Sequence, residues 1–98
     1  MINIKETNNK AFLKSIENGN YDIVLWLLTI DDSIDISFNN FQSFKTACLN
    51  NHLDIAELLY KLKPIDVTED NDNIFRTICK NNLLEVAIWF ESLLPTQI

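Results

Sequence analysis

Apolar residues fall along this chain in two alternating rhythms. Short segments at residues 11–17, 43–49 and 74–80 carry them four apart: Phe12 and Ile16, Phe44 and Cys48, Phe75 and Cys79. That is the spacing of one helix face. Longer segments at about 21–30, 53–62 and 84–93 carry a broader stripe, read in the first as Ile23, Trp26, Leu27 and Ile30. Such a stripe predicts an amphipathic helix with a face to bury. Between each short and long segment stands a polar pair: Asn18-Gly19, Asn50-Asn51 or Asn81-Asn82. Gly is the usual residue for the left-handed position that ends a helix, and Asn is the usual substitute. Gly19, Asn51 and Asn82 therefore predict three helix stops, each followed by a tight turn. Two helices joined so closely lie antiparallel. The long helices open with Asp22, Asp54 or Glu85, which complement the positive end of the helix dipole.

The pattern recurs in register. Phe12, Phe44 and Phe75 are 32 and 31 residues apart, and Asn18, Asn50 and Asn81 keep the same spacing. Three units result, at about 8–37, 40–68 and 71–95 of a single domain spanning 1–98. Between them Ile34-Asp35-Ile36 matches Ile65-Asp66-Val67, and Pro64 interrupts the second connector. These connectors predict extended, hairpin-like loops with tips at Asn40, Phe41 and Gln42 and at Asn71, Asp72 and Asn73. One helix pair cannot bury both sides of its stripe, whereas stacked neighbours can. The expected fold is all-α, a repeat solenoid of three helix-turn-helix units joined by short hairpin-like loops. In such a stack Trp26 and Trp89 are expected to face neighbouring helices as core.

Composition narrows the function. A chain of 98 residues with 47% hydrophobic content is one domain with an adequate core. The longest apolar run, Ile23 to Leu28, is far short of a membrane span. The N-terminal MINIKETNNK lacks a charged-then-apolar leader pattern, so an intracellular, reducing setting is expected. The net charge is −6 and the basic residues are scattered, which disfavours nucleic acid and leaves a modest bias toward basic or apolar partners.

Catalytic and metal chemistry find little to stand on. Cys48 and Cys79 occupy one slot in adjacent units. Packed helices sit roughly 8–10 Å apart, and a disulfide needs Cα atoms within about 7 Å. Both are expected to be small buried thiols, and a redox switch is opposed by the spacing. His52 is the only histidine, and the Asn50-Asn51 breaker separates it from Cys48. A zinc site would need more ligands, and a nucleophilic triad would need a Ser and an Asp arranged around the His. One glycine excludes a phosphate-cradling loop. Asp31-Asp32 and Glu69-Asp70 sit on polar connectors as solvated charges. The expectation is a non-enzyme without cofactor or metal.

The stretch ACLNNHLDIAELLY, residues 47–60, resembles the ankyrin repeat pattern A-A-x-x-G-H-x-x-I-V-x-L-L-L, and Pro64-Ile65-Asp66-Val67 resembles its G-A-D-V. His52 falls in that family's turn-His slot. The resemblance covers about residues 8–95. The family's T-P-L-H is degenerate here, reading KAFL, QSFK and NIFR, and the hairpin between Ile36 and Phe44 is shorter than usual. Both features are similar to the shortened ankyrin repeats of giant DNA viruses and their amoebal hosts. The resemblance implies protein–protein interaction, in a viral setting as an adaptor in host cytoplasm, through a concave surface of hairpin tips and short helices. The matching positions are Leu13, Lys45 and Arg76, then Glu17, Leu49 and Lys80, with the tips Asn40, Phe41, Gln42, Asn71, Asp72 and Asn73. Of these, Lys45, Arg76 and Lys80 form a small basic patch.

A second expectation is structural. Glu57 in the middle unit is replaced by Leu25 in the first and Ile88 in the third. If Glu57 points outward, then Leu25 and Ile88, with Leu28 nearby, place apolar side chains on the convex side. Weak self-association or membership of a longer array would cover them.

Overall fold

The computed structural model describes residues 4–65 and 71–94, and the side chains of these except 4–7, 40 and 71–73. The described residues form six α-helices and no strand. In chain order they are α1 (Ile4–Glu17), α2 (Tyr21–Ile30), α3 (Phe38–Leu49), α4 (Leu53–Leu62), α5 (Asn71–Lys80) and α6 (Leu84–Leu93). The fold is all-α, as the two rhythms of the sequence predict.

The three turns are built alike. Gly19, Asn51 and Asn82 have φ of 73°, 63° and 59°, all left-handed. At the first, the Gly19 amide donates to the Ile16 carbonyl and the Asn20 amide to the Ser15 carbonyl. Asn51 and His52 donate in the same way to Cys48 and Ala47, and Asn82 and Leu83 to Cys79 and Ile78. This paired closure satisfies carbonyls that a helix end otherwise leaves open. One local solution thus ends α1, α3 and α5 and turns the chain into α2, α4 and α6.

The helices pack as pairs, α1 with α2, α3 with α4 and α5 with α6, and the principal contacts between pairs are α1–α3, α3–α5 and α2–α4. The core runs through all three pairs. It holds Phe12, Ile16, Val24 and Leu27 of the first, Phe44, Ala47, Cys48, Ile55, Ala56 and Leu59 of the second, and Ile78, Val86 and Phe90 of the third. Ile36 joins it from a connector. Three rings tie the second pair to the third: Phe44, Tyr60 and Trp89 have centroids 5.9–6.1 Å apart, within the range where tilted aromatic pairs attract. Phe75 stacks on Phe90 at 5.8 Å.

Several expectations are corrected. The predicted hairpin between α2 and α3 is absent. The chain passes from Ile30 to Phe38 through two compact Asp-x-Ser turns. Asp31 accepts from the amide and hydroxyl of Ser33, and Asp35 from those of Ser37. Such side-chain turns replace an extended loop because each carboxylate satisfies a backbone amide two residues on. The predicted tip Asn40, Phe41 and Gln42 therefore lies inside α3, and Asn71, Asp72 and Asn73 lie inside α5. The start of α3 is irregular, with Asn39 at φ 53° and Phe41 at φ 61°. The matching residues Asp66 and Val67 fall outside the described residues.

The α2 stripe is also rotated from expectation. Val24 and Leu27 are buried, whereas Ile23, Trp26 and Ile30 are exposed. Trp26 is thus not core, being 58% exposed, while Trp89 is half-buried in the aromatic trio. Sequence periodicity gives the direction of an apolar face, but a face is buried only where another helix lies on it.

Candidate functional site

The short helices α1, α3 and α5 lie side by side, so residues in matching slots form rows across them. One row is Leu13, Lys45 and Arg76, and the next is Glu17, Leu49 and Lys80. Leu13, Lys45 and Leu49 are half-buried, while Glu17, Arg76 and Lys80 are exposed. Arg76 and Lys80 stand one turn apart on α5, so their side chains share a face. Lys45 stands on the adjoining helix α3, and the net charge of the chain is −6. At the other end of the second row Glu17 pairs with Lys14 at 3.7 Å, an exposed i, i+3 contact.

Of the predicted tips, the side chains of Phe41 and Gln42 are described. The ring of Phe41 is half-buried against the core, so it folds back and does not project as an anchor. Gln42 accepts a hydrogen bond from the Asn39 side-chain amide at 3.0 Å. The side chains of Asn40, Asn71, Asp72 and Asn73 lie outside the described ones. The row residues on the helices therefore make up what can be described of the predicted surface.

The convex positions divide. Leu25 and Ile88 are exposed, by 44% and 61%, and Glu57 between them is exposed as expected. Leu28 is half-buried against the core and leaves the group. Apolar exposure that periodicity did not anticipate appears at Phe38, 69% exposed, and at Ile23 and Trp26. The signal available in the sequence for the last two was their place in the first unit, where the stripe has one neighbour and not two.

His52 has a structural position. Its Nε2 lies 3.0 Å from the Glu17 carbonyl oxygen. A carbonyl only accepts, so Nε2 carries the proton. Cys48 and Cys79 are both free, but they differ: Cys48 is buried and Cys79 is exposed. The expectation that both are buried is thus corrected for Cys79, whose slot in the last pair has no further helix pair over it among the described residues. Burial pushes the Cys48 thiol up to about 12, which keeps it protonated and unreactive. Two hydrogen bonds from Ser37, the hydroxyl's larger than the amide's, hold the Asp35 carboxyl below its usual range.

Among the described residues no group of three or more His, Cys, Asp or Glu converges as a metal site. An open hollow of about 420 Å³ is lined by Gly19, Asn20, Tyr21, Asp22 and Ile23; Asp22 is its one carboxylate, and it lies open to solvent. No described helix is long and apolar enough to cross a membrane. Comparison with protein-family models, curated proteins and solved structures finds no match.

Proposed function

We propose that this chain is a three-unit, ankyrin-like solenoid that acts as a non-catalytic protein-binding module. The observation that carries the reading is the row of matching slots on α1, α3 and α5. Their frame is constant: Phe12, Phe44 and Phe75 behind, and the left-handed Gly19, Asn51 and Asn82 at the turns. The row itself varies, from Leu13 to Lys45 to Arg76 and from Glu17 to Leu49 to Lys80. A packed frame carrying variable half-buried and exposed residues supports selective binding, because the packing fixes geometry and the surface chooses the partner. The division of contacts between adjacent helix pairs supports the stacked architecture.

The binding surface lies on the helices and not on hairpin tips. Leu13 and Leu49 supply apolar contact on this surface and Lys45, Arg76 and Lys80 its charged contacts, while the net charge of −6 biases the choice toward basic or apolar partners. Affinity capture from host-cell lysate tests this, comparing the parent chain with a Lys45→Glu, Arg76→Glu, Lys80→Glu variant shown by circular dichroism to keep its helicity. A partner held by the parent and lost by the variant supports the assignment. A partner held equally by both moves the site elsewhere.

A further inference from the structure

The three helix pairs occupy matching slots, so each junction between pairs uses the same two half-surfaces. The leading half-surface of a long helix is seen in α4 and α6. Ile55 and Val86 are fully buried there, and Leu58 and Trp89 are half-buried. Their counterparts on α2 are Ile23 and Trp26, exposed by 45% and 58%. The trailing half-surface shows the reverse gradient. Ile16 and Cys48 are fully buried, and Tyr21 and Leu53 are half-buried. Their counterparts in the last pair are Cys79, which is exposed, and Leu84, which is 70% exposed. Phe75 is likewise only half-buried where Phe12 and Phe44 are buried.

The chain therefore presents both halves of an interface that it already makes twice internally, one half at each end. We propose that copies of this chain stack head to tail, with Ile23 and Trp26 of one copy packing on Cys79 and Leu84 of the next. The occupant is a second copy because the slots match on both sides. The polar contact of the first junction, which Leu49 and Leu83 replace at the second, has a counterpart at the join as well. Within the chain His52 Nε2–H donates to the Glu17 carbonyl across the first junction. At the join between copies Asn20 stands in the His52 slot and Lys80 in the Glu17 slot, and the Asn side-chain amide donates as the imidazole does. The join is heterologous, so it does not close on itself and extends into a row of copies. This assembly does not depend on the binding surface proposed above, since it uses the ends of the stack.

The two ends can be blocked separately. Trp26 and Leu84 are exposed, so Trp26→Glu and Leu84→Glu leave the internal packing in place, and a thermal melt of each variant checks this. Sedimentation velocity over a concentration series is then run on the parent chain, on each variant and on their equimolar mixture. The parent chain is expected to increase in mass without a plateau. Each variant alone is expected to remain monomeric. The mixture is expected to form a dimer and nothing larger, because one intact head meets one intact tail. Alkylation of Cys79 is expected to slow as the parent chain is concentrated. A monomeric parent chain throughout overturns the proposal. So does a Leu84→Glu variant that dimerises by itself, which would place head against head, or association that neither substitution reduces.

Discussion

The imidazole of His52 occupies the space where a side chain on Gly19 would begin. A Cβ at residue 19 would come within 2.6 Å of His52 Cε1 and 2.8 Å of Nδ1. The same ring reaches the Glu17 carbonyl from the next helix pair. One glycine thus meets two demands, a left-handed backbone at φ 73° and space for a ring that joins two helix pairs. Asn51 and Asn82 meet only the first in the same slot, and a side chain is present there.

Gly19→Ala is expected to lose about 1–2 kcal/mol from the left-handed backbone, and more from displacing His52. His52→Ala is expected to lose roughly 0.5–1.5 kcal/mol with its hydrogen bond. The double variant should lose less than the sum, because the clash is then gone. Urea denaturation of the four proteins measures this coupling. Strict additivity would remove the ring–glycine contact from the account.

The two thiols should separate in reactivity. Under native, dilute conditions a thiol reagent is expected to modify Cys79 quickly and Cys48 only as the protein unfolds. Burial raises the folded pKa of Cys48 from 9.0 to about 12. A raised acid pKa means this contribution to stability is complete below pH 9 and declines as pH rises toward 12. Cys48→Ala is expected to flatten that alkaline decline in pH-dependent melts.

Asp35 gives a pH effect of opposite sign. Its carboxyl is held below the ordinary value of 3.8 first by the Ser37 hydroxyl and then by the Ser37 amide. A lowered pKa favours the fold above the unfolded value, and this contribution fades as pH falls through the folded one. Ser37→Ala keeps the amide and removes the hydroxyl, so the Asp35 pKa should rise part of the way back. Carboxyl titration by NMR reads this directly.

The aromatic trio predicts a cooperative link between the second and third helix pairs. Phe44 is buried at 2% exposure, against both Tyr60 and Trp89. Phe44→Ala is expected to cost about 3–5 kcal/mol. The two tryptophans report on different places: Trp26→Phe should leave the blue-shifted emission of Trp89, and Trp89→Phe the red-shifted emission of exposed Trp26. Measured at low protein concentration, emission spectra of equal wavelength in the two variants would contradict the difference in burial.

Much of this architecture is written locally. The two spacings of apolar residues and the Gly or Asn at each breaker determined three helix pairs and three left-handed turns before any contact was known. Those features follow from backbone preferences carried by a residue and its near neighbours. Ile23 and Ile55, or Cys79 and Cys48, are another matter. Each pair shares a slot and a similar or identical side chain, yet one member is exposed and the other buried. Only the tertiary structure decided that, because burial belongs to the surface that arrives from elsewhere in the stack. The connectors show the same limit. Asp31 and Asp35 read as polar loop residues, but their carboxylates close turns that draw α3 several residues forward and leave no hairpin tip. The repeating sequence determined the unit, and the position of each unit among its neighbours decided which of its side chains remain free to meet another molecule.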